Sequence, residues 1–307
     1  MIDCQYVSAA VRDFYADCER KKQALEDYEE SVFMQSEDYS NAKYAYKKCV
    51  FDLEKARFLG DEKKVAELTE QKKVLLENFN RVRASMKRVD LKYAPHCPIC
   101  FDTGYHDGKR CSCYVKNVSR VAYEFMQVPP PKLVDFTDNL LKDERSAKLF
   151  AQMQNYCSKF SDHSKNLLLL GERGTGKTFI AKAICKRLED LGKNAIFLNA
   201  FSFNDLFIRF FSATETEKLW LSEILSTCDL LVIDDLGAAP IINNVTVERL
   251  LMIISQRAEL KKPYIITTNL ALDEIGEKFG ERAFSRINSK DTVKIPFSGK
   301  DMRVYGV

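Results

Sequence analysis

One eight-residue motif limits what this chain can fold into more than any other feature of the sequence. It follows the pattern G-x-x-x-x-G-K-[ST], which is typical of phosphate-binding loops, and consists of Gly171, Glu172, Arg173, Gly174, Thr175, Gly176, Lys177 and Thr178. The apolar run 166–170 before it is typical of a buried parallel strand, and residues 179–184 after it have helical periodicity. A strand, this loop and a helix in that order predict a site for a nucleoside triphosphate rather than a chance glycine-rich turn.

The residue types of the loop predict how it binds phosphate. Glycine lets the backbone turn sharply, so that N–H groups approach the phosphate oxygens at the positive end of the following helix. We expect the Lys177 ammonium to reach the β- and γ-phosphates and the Thr178 hydroxyl to ligate Mg²⁺. All eight residues are therefore candidate nucleotide-binding residues.

Two further apolar runs end in polar side chains that suit phosphate chemistry. Residues 230–233 are followed by Asp234 and Asp235. We expect Asp234 to hold Mg²⁺ through its water shell and Asp235 to polarise the attacking water. Asp235 is shorter than the glutamate common at that place, which predicts slow hydrolysis. Asn269 ends the next run and could touch the γ-phosphate or orient water, although a turn-forming asparagine is the alternative.

From residue 135 to the end, apolar strand patterns alternate with helical patterns. We predict strands at 167–170, 195–199, 229–233, 264–268 and 292–296, with helices at 142–160, 177–190, 202–211, 215–226, 245–259 and 272–287. Such alternation predicts an α/β domain whose parallel sheet is covered on both faces.

The first 94 residues have a different pattern and predict an all-α domain. Apolar residues recur at helical spacing, and a turn is predicted at Gly60 and Asp61, where Asp61 can cap the next helix. Residues 1–94 hold 18 Lys/Arg and 18 Asp/Glu, so this region is neutral. It could be a self-contained helical hairpin, but the narrow apolar stripe favours a module that docks on a partner.

Residues 95–114 contain a candidate zinc site, with ligands Cys97, Cys100, Cys111 and Cys113. Four thiolates suffice for one tetrahedral Zn²⁺, and four closed ligands indicate a structural site. The closing C-x-C is less usual than a second C-x₂-C, so His96 or His106 could replace one cysteine. Four free thiols are the alternative. Residues 115–134, which end near three consecutive prolines, are predicted to be a linker.

Composition excludes several classes of protein. A net charge of +3 over 307 residues is too small for a general polyanion binder. No apolar run approaches the roughly 20 residues that span a bilayer, and the N-terminus lacks the pattern of a signal peptide. Ten cysteines without such a signal favour reduced thiols or metal ligands over disulfides. We therefore expect a cytoplasmic protein without membrane contact.

Taken with the phosphate loop, four blocks carry a family resemblance: residues 233–237, 267–269, 280–287 and 297–303. Over roughly 135–307 the chain resembles the DnaC/DnaI-type replicative helicase loaders, which are AAA+ ATPases related to the IstB-type transposition helpers. The resemblance implies an AAA+ domain at 135–307 with a truncated lid, ATP as the nucleotide, and hydrolysis coupled to self-assembly. It also implies a hexameric replicative DNA helicase and single-stranded DNA as partners, with residues 1–94 docking on the helicase. A transposition helper and a nucleotide-sensing adaptor are the alternatives.

The resemblance also assigns residues. Arg286 matches the arginine finger, which reaches a nucleotide held by the neighbouring subunit, with Arg282 as its competitor. Arg303 matches the second sensor arginine, which acts on the nucleotide of its own subunit. A guanidinium suits both roles because it is always charged and forks onto phosphate oxygens. Residues 201–211 correspond to an element that contacts single-stranded DNA, although Phe203, Phe207 and Phe210 could instead pack in the core.

Overall fold

The computed structural model describes residues 1–86, 93–138 and 144–298 of the chain. They group into two compact units. One comprises Tyr15–Asp102, and the other comprises Met1–Phe14 with the described residues from Thr103 onward. Within the described ranges, no helix has both the length and the apolar content needed to cross a membrane.

Three long helices dominate the first part of the chain: α1 Gln5–Phe33, α2 Glu37–Phe58 and α3 Glu62–Ser85. Side-chain caps explain where α2 and α3 begin, because Ser36 Oγ accepts the Tyr39 N–H and Asp61 Oδ1 accepts the Lys64 N–H. The turn predicted at residues 60 and 61 is therefore present. Helix α2 packs along α3 through one buried face, formed by Tyr39, Ala42, Cys49, Leu53 and Ala56.

The nucleotide-binding part is an α/β unit. After the short hairpin of β1 Tyr105–His106 and β2 Lys109–Arg110, its elements are α4 Ser112–Met126, α5 Glu144–Ser158, β3 Asn166–Gly171, α6 Lys177–Asp190, β4 Ala195–Asn199, α7 Ala200–Arg209, α8 Glu215–Thr227, β5 Leu230–Leu236, α9 Glu248–Glu259, β6 Tyr264–Thr268, α10 Leu272–Ile287 and β7 Thr292–Phe297. Strands β3 to β7 form one parallel sheet in the order β4-β5-β6-β3-β7. The predicted alternation is thus confirmed, with strand ends shifted by at most three residues.

The core of this unit lies at the centre of the sheet. Residues 167–169 of β3 and 230–233 of β5 are buried on both faces, as continuous apolar strands of a parallel sheet should be. Helix α6 covers one face through Ile180, Ile184 and Leu188, which recur at helical spacing. The five strands of this sheet run in one direction, so the carboxyl ends of β3, β5 and β6 meet at one edge.

The segment predicted as a linker contains helix α4. Its residues Val115, Val118, Ala122 and Met126 are buried at spacings of three and four residues, which is the pattern of a helix packed on one face. Tyr123 is buried as well, and its hydroxyl accepts the Phe197 N–H at 2.8 Å. This part of the predicted linker is therefore built into the α/β unit.

Candidate functional site

A cleft of about 510 Å³ opens at the carboxyl edge of the sheet. It is lined by Arg173, Gly174, Thr175, Gly176, Lys177, Thr178, Phe179, Phe201, Asp235, Ala238, Thr267 and Asn269. Most of the predicted phosphate loop therefore shares one cavity with Asp235, near the end of β5, and Asn269, which follows β6. Helix α6 begins at Lys177, so its N-terminal N–H groups face this cavity.

Gly171 shows why the loop begins with glycine. Its φ is +148°, and a Cβ placed on it would lie 2.0 Å from the carbonyl oxygen of Phe297. The end of β3 is therefore pressed against the end of β7, with which it is in register. Any side chain at residue 171 would push β7 away from the loop.

The Lys177 ammonium is held among oxygen atoms inside the cleft. It is buried and donates to the carbonyl oxygens of Gly171 at 2.6 Å and Glu172 at 2.7 Å. A third hydrogen bond, of 2.8 Å, goes to Oδ1 of Asn269. An anionic phosphate oxygen is a stronger acceptor than a carbonyl or an amide, so these contacts leave the lysine ready to exchange partners.

Asp234 is buried beside two threonines that line the cleft, Thr178 and Thr267. Thr178 Oγ1 lies 3.0 Å from both carboxylate oxygens, and Thr267 Oγ1 donates to Oδ1 at 2.7 Å. Burial raises the pKa of this carboxyl, and its hydrogen bonds with the two threonines oppose the rise. Hydroxyl and carboxylate oxygens that meet in this way are the ligands Mg²⁺ prefers, so the residues fit that ion.

Asp235 adopts a backbone conformation that is rare for a residue with a side chain. Its φ is +58°, in the left-handed region. The Asp235 N–H donates to Thr267 Oγ1 at 2.8 Å, and Asn269 Nδ2 donates to its Oδ1 at 2.7 Å. Strained residues of this kind cost about 1–3 kcal/mol and occur at functional sites. Asn269 thus bridges Lys177 and Asp235, two residues that sequence reasoning gave separate tasks.

Two residues of the cleft, Thr267 and Phe201, were not predicted to belong to the nucleotide site. Thr267 holds both the side chain of Asp234 and the backbone of Asp235, yet the sequence offers only a threonine in an apolar strand. Phe201 lines the cleft from the first turn of α7 and is 59% exposed. Its place follows from the pairing of Asn199 with Asp234 in the sheet, which a single sequence does not reveal.

Neither Arg286 nor its competitor Arg282 lines this cleft. Arg286 is exposed on the last turn of α10, and its carbonyl accepts the hydroxyl of Tyr264, the first residue of β6. Since Asn269 follows the other end of β6, Arg286 and the phosphate loop are at opposite ends of the sheet. Arg282 is also exposed on α10. Arg303, which the resemblance places on a short tail in place of a full lid, lies outside the described residues.

The four predicted zinc ligands come together. The sulfur atoms of Cys97, Cys100, Cys111 and Cys113 lie within 4.8 Å of one another, so this donor set fits a tetrahedral zinc site. Neither histidine belongs to that group of four. Nδ1 of His96 instead lies 3.1 Å from Asp102, and Nδ1 of His106 lies 3.4 Å from Asp107.

The aromatic residues of segment 201–211 divide between core and surface. Phe203 and Phe207 are buried, as the core interpretation expected. Phe210 packs against Phe125, with ring centroids 5.4 Å apart. Phe201 and Phe211 are exposed, so these two are the aromatic rings that this segment offers to a ligand.

Comparison with known proteins identifies the family to which this chain belongs. A family model described as IstB-like ATP binding protein matches residues 121–287, which is more than half of the chain. The chain belongs to the IstB-like ATP-binding proteins. This confirms the predicted resemblance, and with the parallel sheet, the helical N-terminal region and the cysteine cluster it confirms the predicted AAA+ fold class.

Relatives of this IstB-like protein come from two settings. The replicative helicase loader DnaC of Escherichia coli (strain K12) is 25% identical over 170 residues, which cover 55% of this chain and 68% of DnaC. An ATP-binding protein of insertion sequence IS21 from Pseudomonas aeruginosa is 28% identical over 127 residues, covering 41% of this chain and 46% of that protein. The crystal structure of the DnaC helicase loader aligns with 23% identity and a TM-score of 0.46, covering 53% of this chain and 96% of that one.

Proposed function

We propose that this IstB-like protein is an ATP-dependent loader that places a hexameric replicative DNA helicase on single-stranded DNA. The observation that carries the proposal is the similarity to DnaC, a replicative helicase loader, over 68% of its length. The helical unit Tyr15–Asp102 supports it, because a loader needs a part that docks on the helicase beside the part that binds nucleotide. A protein with these partners works in the cytoplasm.

The cleft supplies the groups that ATP hydrolysis needs. Lys177 exchanges the loop carbonyls for oxygens of the β- and γ-phosphates. Thr178 and Asp234 would hold Mg²⁺, which when bound supplies positive charge beside the phosphates. Asp235 accepts a hydrogen bond from the attacking water, and Asn269 fixes the position of that carboxylate. The short reach of an aspartate makes this turnover slow.

Two arginines complete the proposed site. Arg286 reaches the nucleotide of the adjacent subunit, and its distance from the phosphate loop of its own chain supports that assignment. ATP therefore promotes self-assembly of the loader. Arg303 acts on the nucleotide of its own subunit. The four cysteines hold one structural zinc ion, with the thiolate set as support.

A transposition helper is the second candidate. The family model and the similarity to the IS21 protein favour it, since both point to insertion-sequence ATPases. Such a helper would work with a transposase on duplex DNA. A nucleotide-sensing adaptor without hydrolysis is the third possibility, and measured turnover separates it from both.

Reconstitution separates these functions. The purified chain with ATP should deposit the replicative helicase of its source cell on a circular single-stranded DNA that the helicase alone does not enter. Lys177→Ala should lose ATP affinity and loading together. Binding to a transposase and duplex DNA, with no capture of the helicase, would replace the loader by the transposition helper.

A further inference from the structure

Three large aromatic side chains lie in a line on the outer face of α2. Tyr44 and Phe51 are each 69% exposed and Phe58 is 90% exposed. Successive members are seven residues apart, which is close to two helical turns or about 10.5 Å along the axis. We call this row, Tyr44, Phe51 and Phe58, the aromatic stripe.

The aromatic stripe is not needed for folding of its own unit. Helix α2 already buries its opposite face, which includes Cys49 and Leu53, along α3. Single exposed apolar side chains are common on protein surfaces, but an aligned set marks a binding surface. These three rings are therefore available to another molecule.

The charge beside the aromatic stripe is positive. Lys47, Lys48 and Lys55 are exposed on the same face and form no ion pair within the described part of the chain. Of the two acidic residues between Tyr44 and Phe58, Glu54 is bound to Arg57 at 2.8 Å. The other, Asp52, points about 100° away from Phe51 around the helix. An acidic surface would complement this face.

The seven-residue spacing of the three rings indicates which kind of acidic partner surface would bind them. Two packed α-helices come into contact at a repeat of seven residues. Stacked nucleotides follow one another at much shorter intervals, about 3.4 Å along one strand. A second copy of this face is a poor match, because pairing would bring two sets of three lysines together. An acidic amphipathic helix satisfies both the repeat and the charge.

We propose that the aromatic stripe, with Lys47, Lys48 and Lys55, is the docking site for an acidic amphipathic helix of the replicative helicase. This rests on the proposed loader function and specifies the surface it uses. The rings enter the apolar side of the partner helix and provide most of the affinity, as buried aromatic residues do at interfaces. The lysines flank that contact and increase the rate of association at low salt.

Binding of the full chain to the purified hexameric helicase of the source cell tests the proposal. A triple variant, Tyr44→Gln, Phe51→Gln and Phe58→Gln, keeps the helix because glutamine is a good helix former. It should bind at least about 100-fold more weakly, and Phe51→Gln alone about 30-fold more weakly. Lys48→Glu with Lys55→Glu should slow association and reduce its salt dependence.

Matched controls lie in the same unit. Tyr28→Gln replaces an exposed aromatic residue of α1, and Lys63→Glu reverses an exposed charge at the start of α3. Both should bind the helicase like the parent chain. Circular dichroism and ATP affinity should be unchanged in every variant, which separates docking from folding and from the nucleotide site.

Several results would overturn the proposal. A triple variant that binds the helicase within twofold of the parent would exclude this surface, as would equal losses in Tyr28→Gln. Binding of the parent to a (dT)₃₀ oligonucleotide or to phosphatidylserine vesicles that disappears in the triple variant would assign the stripe to nucleic acid or membrane. A parent chain that never binds the helicase would remove the loader function itself.

Discussion

At the scale of single residues, Asp234 is a proposed site residue whose burial lowers the stability of the folded protein at neutral pH. Its carboxyl is buried, and this desolvation raises its pKa above the ordinary value. A raised pKa in the folded state means that folding favours the protonated form. The associated stability is present at low pH and is lost as pH rises through the folded-state pKa. At neutral pH the ionised carboxylate therefore destabilises the nucleotide-free protein.

Replacing the charge should reverse that effect. Asp234→Asn should raise the melting temperature of the nucleotide-free protein at neutral pH, and the gain should shrink as pH falls. The same variant should bind ATP but lose Mg²⁺-dependent turnover, because the amide is a poor magnesium ligand. Differential scanning fluorimetry from pH 5 to 8 measures the first effect, and a melting temperature below that of the parent throughout would contradict it.

How far the sequence predicted the site depends on the type of residue. Lys177, Thr178 and Asp234 belong to a contiguous motif or end an apolar strand, so local pattern was enough to find them. Thr267 and Phe201 are in the site because neighbouring strands pair in a particular register. Register is a property of contacts between distant segments, and no local pattern encodes it.

At the scale of elements, helix α10 contains a kink that positions Arg286. Gly280 has φ +78° and ψ 158°, a region open essentially to glycine alone. A Cβ at this position would meet nothing within 4 Å, so the backbone conformation and not the available space requires glycine. The kink directs residues 281–287, and with them the arginine, away from the axis of residues 272–279.

Gly280→Ala should therefore act on the turn that carries Arg286. We expect a loss of about 1–3 kcal/mol in the free energy of unfolding, from the strained conformation. ATP affinity should be retained while hydrolysis by the assembled protein falls. Urea unfolding and ATPase assays measure these effects.

Gly276→Ala is the matched control for the same helix. Its backbone is helical, and the added Cβ would lie at an ordinary 3.6 Å from the Phe284 ring. This variant should be neutral or about 0.5–1 kcal/mol more stable, since alanine favours a helix interior over glycine. Equal losses in both variants would show that the kink has no special role.

The cysteine cluster gives a second prediction at this scale. Protein purified without added metal should contain about one zinc ion per chain, as four-thiolate ligation requires. Cys97→Ser should lose the ion, whereas Cys49→Ser should keep it, because Cys49 lies in α2 and donates to the Leu68 carbonyl oxygen. Metal analysis decides the matter, and full zinc content in both Cys97→Ser and Cys111→Ser would place the ligands elsewhere.

At the scale of the whole molecule, the nucleotide cleft and Arg286 lie at opposite ends of one sheet. The proposed trans role of the arginine can therefore be tested by mixing variants. Arg286→Ala should bind ATP but hydrolyse it poorly, and Lys177→Ala should not bind ATP. In the mixture, some contacts pair an intact cleft with an intact arginine.

Partial recovery of ATPase activity in that mixture is the expected result. Arginine fingers contribute about 10³–10⁵ in rate in GTPases, so even a minority of restored contacts should be measurable. Titration of one variant against the other gives the dependence on composition. No recovery at any ratio, while both variants still assemble, would show that Arg286 does not act across a subunit boundary.

Because the cleft and Arg286 lie at opposite ends of the sheet, any row of assembled copies of the chain also has a direction. Each joint would use the cleft of one copy and the arginine of the next, so the contact would be head-to-tail and not two-fold symmetric. An open row of n copies then contains n − 1 completed sites, and only a closed ring contains n. Turnover per copy should rise with the length of the row and level off. The two ends of the row differ chemically, since one displays an uncompleted cleft and the other an unused arginine. A protein that binds either end would therefore block further addition there and limit the number of copies in the row.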